Sequence, residues 1–336
     1  MFRRRSVRAA IGAAAAVCGL ASALATTAYA QIRHYGDLGL PASAARITAG
    51  PDGALWFTLP QADRIGRITI EGAVTLFGVP AGSAPLDLAS GPGGLWYTAP
   101  GRDAVGVVST TGASSQFPAG RGSRPWSIAA GPRERVWFTR AGDGLIGRVE
   151  AGDEVEVEAY GSLPGASLPL GIAAGGDGAM WFSDAAAARL GRIDGSGTVG
   201  EVAGLSGPTY AVASHGQAIW VLHGSSVRRH DPPNSQEYPS PLSFRGTEGG
   251  GVAAASNGQV WVAGRTVSGG TGIARLNGGG GLVVVCASPA GSITDLVMGP
   301  DGGIWFVDDR GGIGRVAKET PPGADCGVRP DAPPPP

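Results

Sequence analysis

The stretch GPDGALWFTLPQADRIGRI, Gly50 to Ile68, decides how the rest of the chain is read. Its first half ends on Trp-Phe-Thr and its second on Ile-Gly-Arg-Ile. Echoes recur as GPGGLWYT (91–98), GPRERVWFT (131–139), GGDGAMWFS (175–183) and GPDGGIWFV (299–307). The tryptophans Trp56, Trp96, Trp137, Trp181, Trp220, Trp261 and Trp305 stand 40, 41, 44, 39, 41 and 44 residues apart, and only Trp126 falls outside the series. Each repeat has one grammar: an apolar run, a Gly/Asp turn, an apolar-aromatic run, a polar loop, Ile-Gly-Arg or a relative, a second turn and an alternating run. That is four strands, A to D, with Gly and Asp where hairpins need positive φ. Four strands in about 40 residues is the period of a propeller blade. The expected fold is all-β: a seven-bladed β-propeller of four-stranded blades.

The ring must close, because an open edge strand invites aggregation. After Trp305 the chain supplies strands B and C (GIWFV, GIGRVA) and then runs into a Pro-rich tail. The missing outer strand lies at the other end. QIRHYGDLGLP, 31–41, resembles the strand D segments AVTLFGVP and SQEYPSPL, and is expected to pair with strand C of the last blade. The domain reading is therefore 1–30 leader, 31–319 propeller and 320–336 tail.

The leader joins Arg3, Arg4, Arg5 and Arg8 to an Ala-rich apolar run and ends on Ala28-Tyr29-Ala30. This reads as a secretory signal cleaved before Gln31, with a twin-arginine route left open. A membrane anchor fits the small Ala-rich run less well. Removing the four arginines takes the formal net charge from −1 to about −5. The body has no basic tract, which argues against a nucleic-acid partner. A monomer is expected, free of the membrane once the leader is removed. With 59 Gly, 26 Pro and only 16% charged residues, the composition suits short strands and tight turns. The tail ETPPGADCGVRPDAPPPP cannot build a core. Cys286 and Cys326, in an oxidising compartment, are expected to clip that tail to the body by a disulfide.

A residue type that recurs in every blade is read as packing, so the seven tryptophans and the Ile-Gly-Arg segments are assigned to the scaffold. The exceptions point to a site. The start of strand A and the end of strand B share one face near the axis. Three residues after each Trp stand Leu59, Ala99, Arg140, Asp184, His223, Gly264 and Asp308; near the strand A openings stand Ala45, Leu86, Trp126, Leu170, Thr209, Gly250 and Thr294. Arg124, Trp126, Arg140, Asp184 and His223 are thus the candidate ligand-binding set, able to hold a polar-aromatic or peptide-like ligand. The alternative is that they are solvated strand ends, Arg140 pairing with Asp184. GSGTVG (195–200) fits a dinucleotide glycine pattern but has no helix after it. His34, His215 and His230 fall in the closing strand, an A–B turn and strand C, away from this mouth.

The combination GPDGALWFT…DRIGRIT…G resembles the virginiamycin B lyase (streptogramin lyase) family of seven-bladed propellers over residues 31–319. The resemblance implies a lyase that opens cyclic depsipeptide antibiotics by elimination, with a His base and a carboxylate-held Mg²⁺. It also implies a His at the strand A opening of the last two blades; here those positions carry Gly250 and Thr294, and Ser292 stands where an acidic neighbour is expected. Two readings follow. One is an exported binding propeller without certain cofactor; the other is a Mg²⁺-dependent lyase with His223 as relocated base and Asp184, Asp308 or Glu248 at the metal.

Overall fold

The computed structural model describes residues 32–35, 38–151, 155–161, 165–231, 233–244, 251–255, 258–266, 269–277, 280–288, 292–317, 320 and 324–325. Seven antiparallel sheets follow one another along the chain. Blade 1 takes Ile47–Ala49, Leu55–Leu59, Arg64–Ile68 and Val74–Gly78 as strands A to D. The strand A series continues as Leu88–Gly91, Pro125–Ala130, Pro169–Ala174, Thr209–His215, Val252–Ala254 and Ile293–Met298. Each strand A packs against those of the two neighbouring blades, and the last packs against the first. The seven therefore form a closed inner ring, and the chain is a seven-bladed β-propeller as the Trp period predicts.

Register explains why Trp-Phe and Gly-Arg recur together. Across strands B and C of blade 1, Trp56 faces Arg67 and Phe57 faces Gly66. A Cβ on Gly66 would lie 2.1 Å from the Phe57 ring, so the glycine is the seat of that ring. The same seat recurs as Gly106 under Tyr97, Gly147 under Phe138, Gly191 under Phe182 and Gly314 under Phe306. The tryptophans point to the other side and fill the inter-blade seams. Trp56 packs with Leu88, Leu95 and Tyr97 of blade 2, and Trp305 with Ile47, Leu55 and Phe57 of blade 1. A fully buried side chain of this size is worth on the order of 3 kcal/mol, repeated at each seam.

Ring closure occurs where the sequence places it. Ile32–Tyr35 pairs antiparallel with Ile313–Val316, strand C of blade 7. Tyr35 stacks on Trp305 at 4.9 Å, as Phe77 stacks on Trp56 at 5.3 Å in blade 1. The N-terminal strand thus supplies both the ladder and the aromatic that a strand D supplies elsewhere.

Blade 6 departs from the pattern. Its strand B, Val260–Thr266, outruns strand A and pairs beyond it with Leu242–Ser243. On its outer edge Ala324–Asp325 pairs in parallel with Leu282–Ser288, Cys286 opposite Ala324. Two residues of the tail, read from sequence as unable to build a core, thus extend this sheet and cover the outer edge of strand D. Cys286 is disulfide-bonded and buried. Residues 1–30, Glu248, Gly250 and Cys326 lie outside the described residues.

Candidate functional site

The end of each strand B does meet the opening of its strand A: Arg140 faces Pro125, Asp184 faces Pro169, His223 faces Thr209 and Asp308 faces Ile293. These strand ends are buried, so they are not the solvated positions that the alternative reading supposes. Each instead holds groups of its own blade. Arg140 donates from Nε to Asp143 Oδ1 at 3.2 Å, and the Arg140–Asp184 pair of that reading is replaced by this one. Asp184 accepts from Arg189 Nε and Nη2 at 3.1 and 3.0 Å, from Ser167 Oγ at 3.0 Å and from the Leu168 amide at 2.9 Å. Asp308 accepts from the amides of Arg310 and Gly312 at 2.9 and 2.7 Å.

His223 has Ser206 Oγ at 3.4 Å from Nδ1. Its Nε2 lies 3.2 Å from Glu237 Oε1, without the direction of a hydrogen bond. Burial holds its pKa below the ordinary histidine value, partly offset by the Glu237 charge. Arg124 is exposed, at φ 43° in a turn whose amide donates to Asp103 Oδ1 at 2.9 Å. Trp126 alone among Arg124, Trp126, Arg140, Asp184 and His223 lines the axial cavity described next.

A Mg²⁺ ion needs several oxygen ligands free to converge. Asp184 is engaged by a guanidinium and two further donors, and Asp308 by two backbone amides, each within its own blade. Among the described residues no three His, Cys, Asp or Glu groups come together as a metal set. The described carboxylates at these positions do not fit the ion.

The axial cavity has a volume of about 250 Å³ and is walled by the strand A residues of all seven blades. Bulges in strand A of blades 3, 4, 5 and 7 fall at this end. Such bulges re-aim side chains next to sites, and Trp126 and Tyr210 stand in the wall there. The charged residues are Asp295, Arg46 and Asp87, from the consecutive blades 7, 1 and 2. Arg46 Nη1 donates to the Thr294 carbonyl at 2.9 Å. Asp295 Oδ2 accepts from the Ile47 amide at 3.0 Å, and Asp87 Oδ2 from Ser127 Oγ at 2.7 Å and the Ile128 amide at 3.0 Å. Each carboxylate therefore reaches into the next blade.

Enclosure in the ring raises the pKa of both acids. Asp295 is pushed up to about 6, chiefly by burial and further by the Asp87 charge, against the pull of Arg46. Asp87 is raised chiefly by burial, with Arg46 and its hydrogen bonds opposing. Neither acid nor Arg46 is in the set chosen from sequence. Their signal was a single charged residue inside the apolar runs ARITAG, LDLASG and ITDLVMG, one residue beyond the strand A openings.

These features define the class: a seven-bladed β-propeller with a charged and aromatic axial cavity. The chain belongs to the virginiamycin B lyase family, whose model matches residues 25–228. A streptogramin B lyase structure is 24% identical with a TM-score of 0.75, over 84% of this chain and 96% of that one. The selenomethionine-substituted virginiamycin B lyase of Staphylococcus aureus is 21% identical with a TM-score of 0.72, over 85% of this chain and 98% of that one. The WD40 repeats of RRP9 match at 12% identity and a TM-score of 0.67, over 86% of this chain and 97% of that one. At these identities the structural likeness establishes the fold. No curated protein matches the chain.

Proposed function

We propose that this is an exported, monomeric binding propeller that takes a small polar-aromatic or peptide-like ligand at its axial cavity, and that the lyase chemistry of its family is lost. The observation that carries this reading is the cavity wall, where Trp126 and Tyr210 offer aromatic faces and Asp87 and Asp295 offer acceptors beside Arg46. Two observations support the loss. Thr294, where the resemblance implies a His, donates its hydroxyl to the Val307 carbonyl at 3.3 Å. The family match ends at residue 228, in strand C of blade 5, so blades 6 and 7, which carry the implied histidine positions, lie beyond it.

The lyase reading is favoured by family membership and by one observation, the lowering of the His223 pKa by burial. Its burial at 1% exposure and its absence from the cavity wall weigh against it as a base. A single experiment separates the two. The protein with its leader removed is incubated with Mg²⁺ and a type B streptogramin, followed by mass spectrometry, and titrated calorimetrically with the same antibiotic and with small aromatic amines. The binding reading expects intact antibiotic and saturable binding of at least one probe, weakened about tenfold by Trp126→Ala. Linearised product that disappears in His223→Ala establishes the lyase instead. Absence of all binding removes the cavity as the site.

A further inference from the structure

Among the described residues, three blades contain the same three-residue cluster on the face away from the strand B ends. In blade 1, Asp52 accepts from Trp56 Nε1 at 3.0 Å through one oxygen and from Arg67 Nε at 2.5 Å through the other. In blade 4, Asp177 accepts from Trp181 Nε1 at 3.1 Å and Arg192 Nε at 2.7 Å. In blade 7, Asp301 accepts from Trp305 Nε1 at 3.0 Å and from Arg315 Nε. One carboxylate thus bridges an indole N–H and a guanidinium N–H, each donor taking one oxygen.

Blade 3 keeps both donors and lacks the acceptor. Its A–B turn reads GPRER where blade 1 reads GPDGA, so Arg133 stands in the place of Asp52. Trp137 Nε1 and Arg148 Nε, the equivalents of the two donors, are both buried without a partner. The residues that carry them are 1% and 7% exposed. Arg148 is otherwise well held. Its Nη1 donates to the Gly195 carbonyl at 3.1 Å, Nη2 meets Glu150 and Glu158, and its guanidinium lies 5.4 Å from the Trp137 ring. Its Nε is therefore orphaned while the rest of the guanidinium is fixed.

A cavity of about 440 Å³ opens at this place, between the A–B turn of blade 3 and the C–D turn of blade 4. Trp137, Met180 and Ile193 form its wall, with Arg133, Arg135, Asp194 and Gly195 around them. Arg133 is exposed and held at φ 60°, and among the described residues no carboxylate pairs with its guanidinium. Two buried donors, one of them on the wall of an open cavity, thus stand where the bridging carboxylate of the other blades has been replaced by a cation. Blade 6 also has an orphaned indole, Trp261, but residues 256–257 of its turn lie outside the described residues and no like comparison holds there.

We propose that the seam between blades 3 and 4 binds the carboxylate of a small organic acid, one oxygen on Trp137 Nε1 and the other on Arg148 Nε, with its apolar body against Met180 and Ile193. Arg133 adds long-range attraction at the entrance. This site is separate from the axial cavity and does not depend on the function proposed for it.

The test uses ¹⁵N-labelled protein and the indole N–H signals of its tryptophans, that of Trp137 being assigned with Trp137→Phe. Titration with benzoate should shift the Trp137 signal saturably and leave those of Trp56, Trp181 and Trp305, whose acceptors are internal, in place. Arg133→Asp should restore the three-residue cluster: the Trp137 signal moves towards those of the three, the benzoate response falls at least tenfold, and the thermal midpoint rises. Arg133→Ala should keep the response, because both orphaned donors remain. The proposal is overturned if benzoate produces no saturable shift of Trp137, if Arg133→Asp responds as the unaltered protein does, or if Arg133→Ala abolishes the response as fully as Arg133→Asp. Inorganic phosphate shifting the signal as well as benzoate would also overturn it, since the apolar wall would then contribute nothing.

Discussion

Tyr35 and Trp305, 270 positions apart in the chain, stack with ring centroids 4.9 Å apart and planes 12° from parallel. This contact joins the first described strand to the last blade, and the Tyr35 hydroxyl also donates to the Ile70 carbonyl of blade 1 at 2.8 Å. One side chain therefore fastens the seam on both sides. Tyr35→Ala should destabilise the protein by about 3–5 kcal/mol, as aromatic-to-alanine truncations in cores do. Tyr35→Phe, which keeps the stack and loses the hydrogen bond, should cost about 1 kcal/mol. Denaturant midpoints read at unchanged m-value check both; equal losses in the two variants would refute the division between stacking and hydrogen bonding.

Gly66 seats the Phe57 ring, and a Cβ there would lie 2.1 Å from it. Gly66→Ala should cost about 1–3 kcal/mol through overpacking. Combined with Phe57→Leu, which withdraws the ring, the added cost of Gly66→Ala should shrink. A double-mutant cycle that came out additive would show that the two residues do not restrain one another.

Asp184 is fully buried against Arg189. If its role is to hold that guanidinium and the loop at Ser167 and Leu168, Asp184→Ala leaves the buried Arg189 with only the exposed Glu201 carboxylate at 3.4 Å and should cost about 3 kcal/mol. Thermal and chemical unfolding without any ligand are the measurement. Unchanged stability would mean that Asp184 is spared for a ligand.

The axial acids give a pH dependence of stated sign. The folded-state pKa of Asp295 is raised from 3.8 to about 6, so between those values the native state binds more protons than the unfolded chain. Stability should therefore fall as pH rises through that window and level off above it. Asp87, raised in the same direction, adds to the slope. Asp295→Asn keeps an acceptor for the Ile47 amide and removes the ionisation, so it should flatten the slope and be the more stable protein at neutral pH. Folding free energies at several pH values decide this; a slope of opposite sign in the unaltered protein would contradict the enclosure of the acid.

The fold was legible because its cause is local and repeated. The residue after Trp in strand B faces a glycine of strand C in blades 1 to 4 and 7, so these blades each write their own seam and ring seat into about 40 residues. Ring closure was legible for the same reason, since 31–41 carries Tyr35 where other outer strands carry Phe77 or Tyr238. The candidate site was only partly legible. Trp126 reaches the axial cavity, but Arg140, Asp184 and His223 each turn to a partner in its own blade, and Arg46, Asp87 and Asp295 were passed over.

Sequence alone therefore determined the number of blades, the place of closure and the residues that must be scaffold, because backbone alternation and close packing act between neighbours in the chain. Only the tertiary structure decided which polar groups face the axis and which donors remain unanswered. A one-residue bulge changes which way a strand A side chain points, and the grouping of Asp295, Arg46 and Asp87 exists only once blades 7, 1 and 2 stand side by side. The orphaned pair Trp137 and Arg148 is likewise invisible until the bridging carboxylates of blades 1, 4 and 7 show what the Arg133 position lacks.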